Sequence, residues 1–379
     1  MVRDRDIVLF LGAGFSKPAG LPLMREFGTE SRKDYAYLKK HADADPKATA
    51  HRLGAREFVR AAETFYSFQE LCTSVLTSRA DTENLETVFG IAEMLHHAQV
   101  KGLVLRKQVV PVADVLTYIK LWLWKIYQQL PILNHRYAID QSPYERFFEI
   151  LKPIADRVVV VTTNYDILFE YLACRHGMPV SYPMRSGPDL ALGNTERFVV
   201  DAGSPGSIEL CKLHGSINYF RTEPRDPNSL AISRTLGGKI GRSRLPPTTP
   251  AILAVDAFQE LKRNHPEMMP ELIPPTYAKL SRAVWVRDTW QAAFRAFQSS
   301  SRIVFIGYGM PETDGFFGAF LRAAFVKRGG LPEVRVINRS KDALRRYRTL
   351  FGRLQDEGNP ASFEDLTENE LREVLGLAA

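Results

Sequence analysis

Ile7–Leu11 is an unbroken apolar run that passes directly into Gly12-Ala13-Gly14-Phe15-Ser16. A run with no polar alternation reads as a parallel strand buried on both faces. Glycines at a strand-to-helix turn let bare backbone come close to a neighbour. The amides that open the next helix favour anionic oxygen. Gly12, Ala13, Gly14 and Ser16 are therefore a candidate pyrophosphate cradle. Lys17 stands where the dinucleotide fingerprint G-x-G-x-x-G has its third glycine, so a glycine-rich turn with no ligand is the competing reading.

Three later runs repeat the pattern of an apolar strand ending in chemistry. Val158–Val161 leads into Thr162-Thr163-Asn164-Tyr165-Asp166, Ile303–Ile306 into Gly307-Tyr308-Gly309, and Val334–Ile337 into Asn338. Ile208–Leu213 reads as a further strand closing on His214-Gly215. Polar residues at strand ends are where open α/β sheets take ligands. Each motif also has a structural reading. A lone His after a strand is often part of the core, and Thr163 or Asn164 has the chemistry to cap a helix over 167–176.

In this order the motifs resemble the Sir2 (sirtuin) superfamily. Gly12-Ala13-Gly14-x-Ser16 with Gly20-Leu21-Pro22 looks like its first NAD loop, Thr163-Asn164-Tyr165-Asp166 like its Gln-Asn-x-Asp motif, and His214-Gly215 like its catalytic His-Gly. Residues 81–89 and Leu272-Ile273-Pro274-Pro275-Thr276 resemble segments of the prokaryotic Sir2-like proteins of antiviral defence. The resemblance implies an α/β fold with a Rossmann-like parallel sheet that binds NAD as substrate. It assigns catalysis to Asn164, His214 and Asp166. It assigns NAD contacts to Gly12, Ala13, Gly14, Ser16, Pro22, Arg25, Thr163, Gly307, Tyr308, Gly309 and Asn338. Asp314 reads equally as a site residue and as the N-cap of a helix over 315–325.

Cleavage of the nicotinamide–ribose bond passes through a cation-like state, and nicotinamide needs no strong acid to leave. The demand is for orientation and for stabilisation of positive charge. The resemblance implies that Asn164 positions water or the ribose hydroxyls, that Asp166 accepts from the carboxamide or favours the cation, and that His214 accepts a ribose hydroxyl proton or orients the ribose.

Two departures set the expected reaction. Cys72, Cys174 and Cys211 are the three cysteines of the chain. A tetrahedral four-Cys zinc module of the kind that deacylating sirtuins carry needs one more. No zinc is expected, and a protein-deacylase role is the less favoured alternative. The family segment Gly-Ile-Pro-Asp-Phe-Arg reads here Gly20-Leu21-Pro22-Leu23-Met24-Arg25. Met24 replaces the aromatic thought to shield the reacting sugar, and a flexible thioether shields poorly, although Phe27 is positioned to take that role. Water is then the natural acceptor, which gives an NAD glycohydrolase. A non-catalytic NAD- or ADP-ribose-binding subunit is the remaining alternative.

The chain of 379 residues has length for one large domain or two smaller ones. The sheet pattern occupies 1–22 and 151–379. Between them, residues 23–150 read as a helical insertion: Phe58, Ala61, Ala62, Phe65 and Phe68, then Leu85, Val88, Phe89, Ala92 and Leu95, then Val112, Val115, Leu116, Ile119, Leu123 and Ile126 recur at helical steps. Residues 41–46 and 130–135 read as loops. Thr367 and Glu370 offer a capping box for a last helix.

No stretch is long and apolar enough for a spanning helix, and the charged start lacks a signal-peptide core, so a cytoplasmic protein without membrane contact is expected. The net charge is +7, with basic residues gathered over 221–244 and 345–353. Neither cluster is read as a stacking groove. A solvated face is the expectation, and direct nucleic-acid binding stays open. The polar segment 221–249 reads as a loop over the cleft. An enzyme that depletes NAD has to be held silent. The resemblance and the absence of spare length for a sensor imply a homo-oligomer; Trp122 and Trp124, which read first as core or helix-packing surface, are its candidate anchors. The resemblance and that absence also imply a trigger, either a HerA-like translocase ATPase or a phage component.

Overall fold

The computed structural model describes residues 6–44, 49–76, 82–127, 139–184, 199–200, 204, 206–221, 230–232, 269–273, 284–311, 314–352, 354 and 361–377. Most of the loop expected over 221–249, the second expected loop at 130–135 and the Pro-Pro segment at 274–275 lie outside these residues.

Among the described residues seven strands form the main sheet: β1 (Ile7–Leu11), β4 (Val158–Thr162), β5 (Val180–Ser181), β6 (Val199–Val200), β7 (Ile208–Lys212), β11 (Arg302–Ile306) and β12 (Glu333–Ile337). Their order is β12-β11-β1-β4-β7-β5-β6, and every pairing is parallel. This is the α/β, Rossmann-like parallel sheet expected. The central strand β1 is at most 3% exposed along its length. That accounts for its lack of polar alternation, and full burial of each Leu, Ile, Val or Phe contributes about 1.5–3 kcal/mol.

Register aligns the strand ends. Leu11 pairs with Thr162 on one side and Ile306 on the other, Thr162 with Lys212, and Ile306 with Ile337. The next residues, Gly12, Thr163, Leu213, Gly307 and Asn338, therefore form one row along the carboxyl edge. The chain leaves β1 toward β4 and returns on its other side as β11, so the edge opens on a crevice at β1.

The helices are α1 (Ala13–Ser16), α2 (Phe27–Ala44), α3 (Thr49–Val75), α4 (Leu85–His97), α5 (Val112–Tyr127), α6 (Ser142–Leu151), α7 (Leu168–Arg175), α8 (Val284–Ser299), α9 (Gly315–Arg328), α10 (Lys341–Phe351) and α11 (Glu368–Leu375). The apolar stripes read from periodicity are the buried faces of α3, α4 and α5. The expected capping box at Thr367 and Glu370 opens α11.

Several expectations are corrected. The loop expected at 41–46 begins later, because α2 runs on to Ala44. The insertion is not purely helical: β2 (Gly102–Leu105) and β3 (Gln108–Pro111) form an antiparallel hairpin. Trp122 and Trp124 are 0% and 1% exposed. They are core residues and cannot anchor self-association. The Trp124 indole donates to the Ile217 carbonyl at 2.8 Å, tying α5 to β8 (Gly215–Arg221). Within the expected loop, β9 (Leu230–Ile232) pairs with β8, whose other neighbour is β10 (Met269–Leu272). Helix α6 packs with the sheet's helices, its Phe147 against Phe15 and Phe363 and its Phe148 against Phe169.

Candidate functional site

The two glycine turns interlock. Gly12 donates its amide to the Ile306 carbonyl at 2.9 Å, and Gly14 to that of Gly307 at 2.8 Å. A Cβ on Gly12 would lie 2.4 Å from the Cα of Tyr308, and one on Gly14 2.7 Å from that of Gly307. Gly307 itself has φ of +65°, a conformation that costs glycine little. Close packing of turn against turn thus explains Gly12 and Gly14, and their amides are already bonded within the protein. The glycines do not need a pyrophosphate to account for them.

Asn164, Ser16 and Asp166 form one side-chain chain, with Asn164 7%, Ser16 2% and Asp166 5% exposed. Asn164 Nδ2 donates to the Gly12 carbonyl at 2.9 Å and to Ser16 Oγ at 3.1 Å. Ser16 in turn bonds the Asp166 carboxylate. Thr162 Oγ1 donates to the Leu11 carbonyl at 2.7 Å and accepts the Asn164 amide at 3.0 Å, which fixes the bend after β4. Thr163 is buried beside it. Neither Thr163 nor Asn164 caps α7, whose N-cap is Ile167; Asp166 Oδ1, one residue earlier, accepts the Leu168 amide at 3.0 Å.

Burial pushes the Asp166 carboxyl above its ordinary range, against the pull of Lys212, the Leu168 amide and Ser16. Lys212 lies beneath this loop, bonded to the Asp166 carbonyl and, at 2.9 Å, to Glu170. Tyr182 donates to Glu170 Oε1 at 2.9 Å. Both members of the Lys212–Glu170 pair are about 1% exposed, a placement tolerated only when each charge is compensated.

His214 follows β7 and is 3% exposed. Its carbonyl accepts from Ile273 at 2.9 Å, and the Trp290 indole holds the preceding Leu213 carbonyl at 3.1 Å. The imidazole lies 6.3 Å from the Tyr165 ring, and its Nε2 is 3.8 Å from Asp314 Oδ2.

One cleft is lined by Ala13, Ser16, Leu21, Pro22, Met24, Tyr127, Asn164, Tyr165 and Asp166. It gathers five expected residues (Ala13, Ser16, Pro22, Asn164 and Asp166) around the crevice at β1. Tyr127, from the end of α5, was not among the residues read from sequence; nothing in a helical stripe marks which member faces a cleft. Its hydroxyl lies 3.4 Å from the Pro22 carbonyl and 3.6 Å from Met24 Sδ. Phe27 does not shield the cleft: it is 0% exposed, with its ring 5.8 Å from that of Tyr127. Arg25 is exposed and 4.0 Å from Glu26, which also pairs with Lys17. Burial holds the Tyr127, Tyr165 and Tyr308 hydroxyls protonated, and the negative charge of Glu86, in the first turn of α4, adds to this. Residues 81–89 carried that signal as a resemblance only.

At the Gly307–Gly309 turn the Tyr308 ring points into the core, 4.6 Å from Phe10. Asn338 Nδ2 donates to the Tyr308 carbonyl at 2.9 Å, and its Oδ1 accepts from Ser340 at 2.9 Å. Arg346 clasps the Gly309 carbonyl at 2.8 and 3.1 Å. Among the described residues nothing lies within 4 Å of where a Cβ would stand on Gly309. Asn338 thus braces the turn. Among the described residues no group of three or more His, Cys, Asp or Glu is arranged to hold a metal ion.

The family model described as "SIR2-like domain" matches residues 158–351. No curated protein matches the chain. Among solved structures, a Sir2 homologue, a histidine-to-asparagine mutant in complex with ADP-ribose, is similar at 13% identity and a TM-score of 0.39, over 100% of this chain and 96% of that one.

Proposed function

The chain belongs to the SIR2-like domain family, and from that premise we propose that it is an NAD glycohydrolase, converting NAD and water to ADP-ribose, nicotinamide and a proton. The observation that carries this reading is the linked set Asn164–Ser16–Asp166 at one cleft beside the strand edge that also presents His214 and the Gly307 turn. With its Nδ2 committed to Gly12 and Ser16, Asn164 acts through Oδ1, holding water or a ribose hydroxyl. Asp166 supplies negative charge to the reacting centre. His214 takes or orients a ribose hydroxyl proton. Ala13, Pro22 and Thr163 line the nicotinamide-ribose end, with Arg25 at its rim. Gly12 and Gly14 shape the turn that the pyrophosphate would follow, held by their packing against the Gly307–Gly309 turn. The Gly307–Gly309 turn and Asn338 bound the adenosine end.

Water is preferred over a peptide acceptor because the chain holds three cysteines, too few for a four-Cys zinc module. Met24 stands where deacylating relatives place an aromatic. No zinc is needed for this chemistry. A labelled acyl-lysine peptide distinguishes the two reactions. Nicotinamide release that is unchanged by the peptide supports hydrolysis; release that depends on it makes the protein a deacylase.

The proposal divides the chain into an NAD-binding part, 1–22 and 151–379, and an insertion, 23–150, with α6 joining the two. The resemblance to antiviral Sir2-like proteins extends the role to a cytoplasmic effector that depletes NAD on infection. It would be held as a homo-oligomer and released by a partner translocase or a phage component. No helix among the described residues is long and apolar enough to cross a membrane.

A further inference from the structure

We propose that Asp314 is the positioning carboxylate of His214, itself held by the Tyr308 hydroxyl. Asp314 precedes α9, yet its side chain makes no capping hydrogen bond to that helix. Its Oδ2 instead accepts from the Tyr308 hydroxyl at 2.7 Å and lies 3.8 Å from His214 Nε2. The His214 and Asp314 side chains are 4% and 1% exposed.

Tyr308 is an unusually fixed donor. Its ring sits 4.6 Å from Phe10 and 5.5 Å from Phe317, and its carbonyl accepts from both Asn338 and Tyr347. The carboxylate it holds therefore has a defined position. At 3.8 Å the contact with His214 is an ion-pair approach rather than a hydrogen bond. Groups in a ligand-free site often stand slightly apart until substrate closes them. A buried carboxylate beside an imidazole fixes which ring edge faces it and favours the protonated ring. That is the state His214 enters on taking a ribose hydroxyl proton. Among the described residues the Tyr165 ring also lies near the imidazole, and burial holds its hydroxyl protonated. The inference rests on the reading of His214 as the group that handles this proton.

The test uses the full chain with Asp314→Asn, which keeps the shape and removes the charge. The expected result is a fall in kcat of about tenfold or more, the lower range for a positioned acid–base group, with KM for NAD little changed. Asp314→Asn added to His214→Ala is expected to cost no further activity, because the carboxylate acts through the ring. Full-rate turnover by Asp314→Asn, or losses that multiply in the double variant, would overturn the proposal. A second readout needs no turnover. In protein carrying labelled histidine, with the His214 signal assigned by its loss in His214→Ala, Asp314→Asn should lower the titration midpoint of the ring by about one pH unit. An unchanged midpoint overturns the pairing. A lowered midpoint in a chain that leaves NAD intact sustains the pairing and rejects the hydrolase reading. Where Asp314→Asn does not fold, Tyr308→Phe keeps the core ring and frees the carboxylate. It should lower kcat in the same sense, and an unchanged kcat counts against the proposal.

Discussion

A Cβ added at Gly14 would stand 2.7 Å from Gly307 Cα and 2.8 Å from its carbonyl oxygen, so Gly14→Ala forces two backbones apart. The expected cost is about 1–3 kcal/mol, read as a lower melting temperature with or without NAD. A variant as stable as the parent would show that the turns do not touch. Asp166 carries a pH prediction. Burial raises its pKa from the ordinary 3.8. A carboxyl with a raised pKa keeps its proton to higher pH, so the acid limb of kcat/KM should fall off above the ordinary carboxylate range if the ionised form is required. A limb at or below that range would mean that Asp166 does not act as the ionised group. At this scale the sequence displays Asn164, Asp166 and His214 plainly, because each ends an apolar strand. What they bond is not legible there. Asn164 reaches Gly12 and Ser16 across about 150 residues of chain, and the Asp314–His214 approach joins two motifs with no sequence signal in common.

Helix α5 links the insertion to the site through Tyr127 at its last turn. Tyr127→Ala should widen the cleft at Pro22 and Met24 and raise KM for NAD several-fold. Tyr127→Phe keeps the ring and should stay near parental values. Equal kinetics for all three proteins would remove α5 from the substrate site. Helices α3, α4 and α5 were legible because a stripe recurring over three or more turns outweighs local noise. The hairpin was not: its strands are four residues each, and its turn is Arg106-Lys107, with φ of +46° and +66°, where Asn or Gly is the usual signal. Its Val104 and Val109 are apolar yet 65% and 76% exposed, so no polar outer face sets off the Leu103, Leu105 and Val110 side that packs on the core. Of the two readings of the Trp pair in α5, core and self-association anchor, the core reading holds: they fill the core between α5, α3 and β8.

Across the whole molecule, the parallel register turns scattered motifs into one site. Five strand ends fall in a row because β12, β11, β1, β4 and β7 pair without offset. This explains why motif order alone gave the fold class. Which motifs meet a ligand and which brace the fold depends on hydrogen bonds that only the folded chain makes: Ser16, Asn338 and Tyr308 all bond within the protein. The most direct measurement is quantitative chromatography of NAD incubated with the purified chain, alone and with the proposed partner translocase, beside the Asn164→Ala variant. The account predicts nicotinamide and ADP-ribose in equal amounts, with release slowed about 100-fold or more in Asn164→Ala. NAD recovered intact from the parent chain under both conditions, or released equally by the variant, would contradict it.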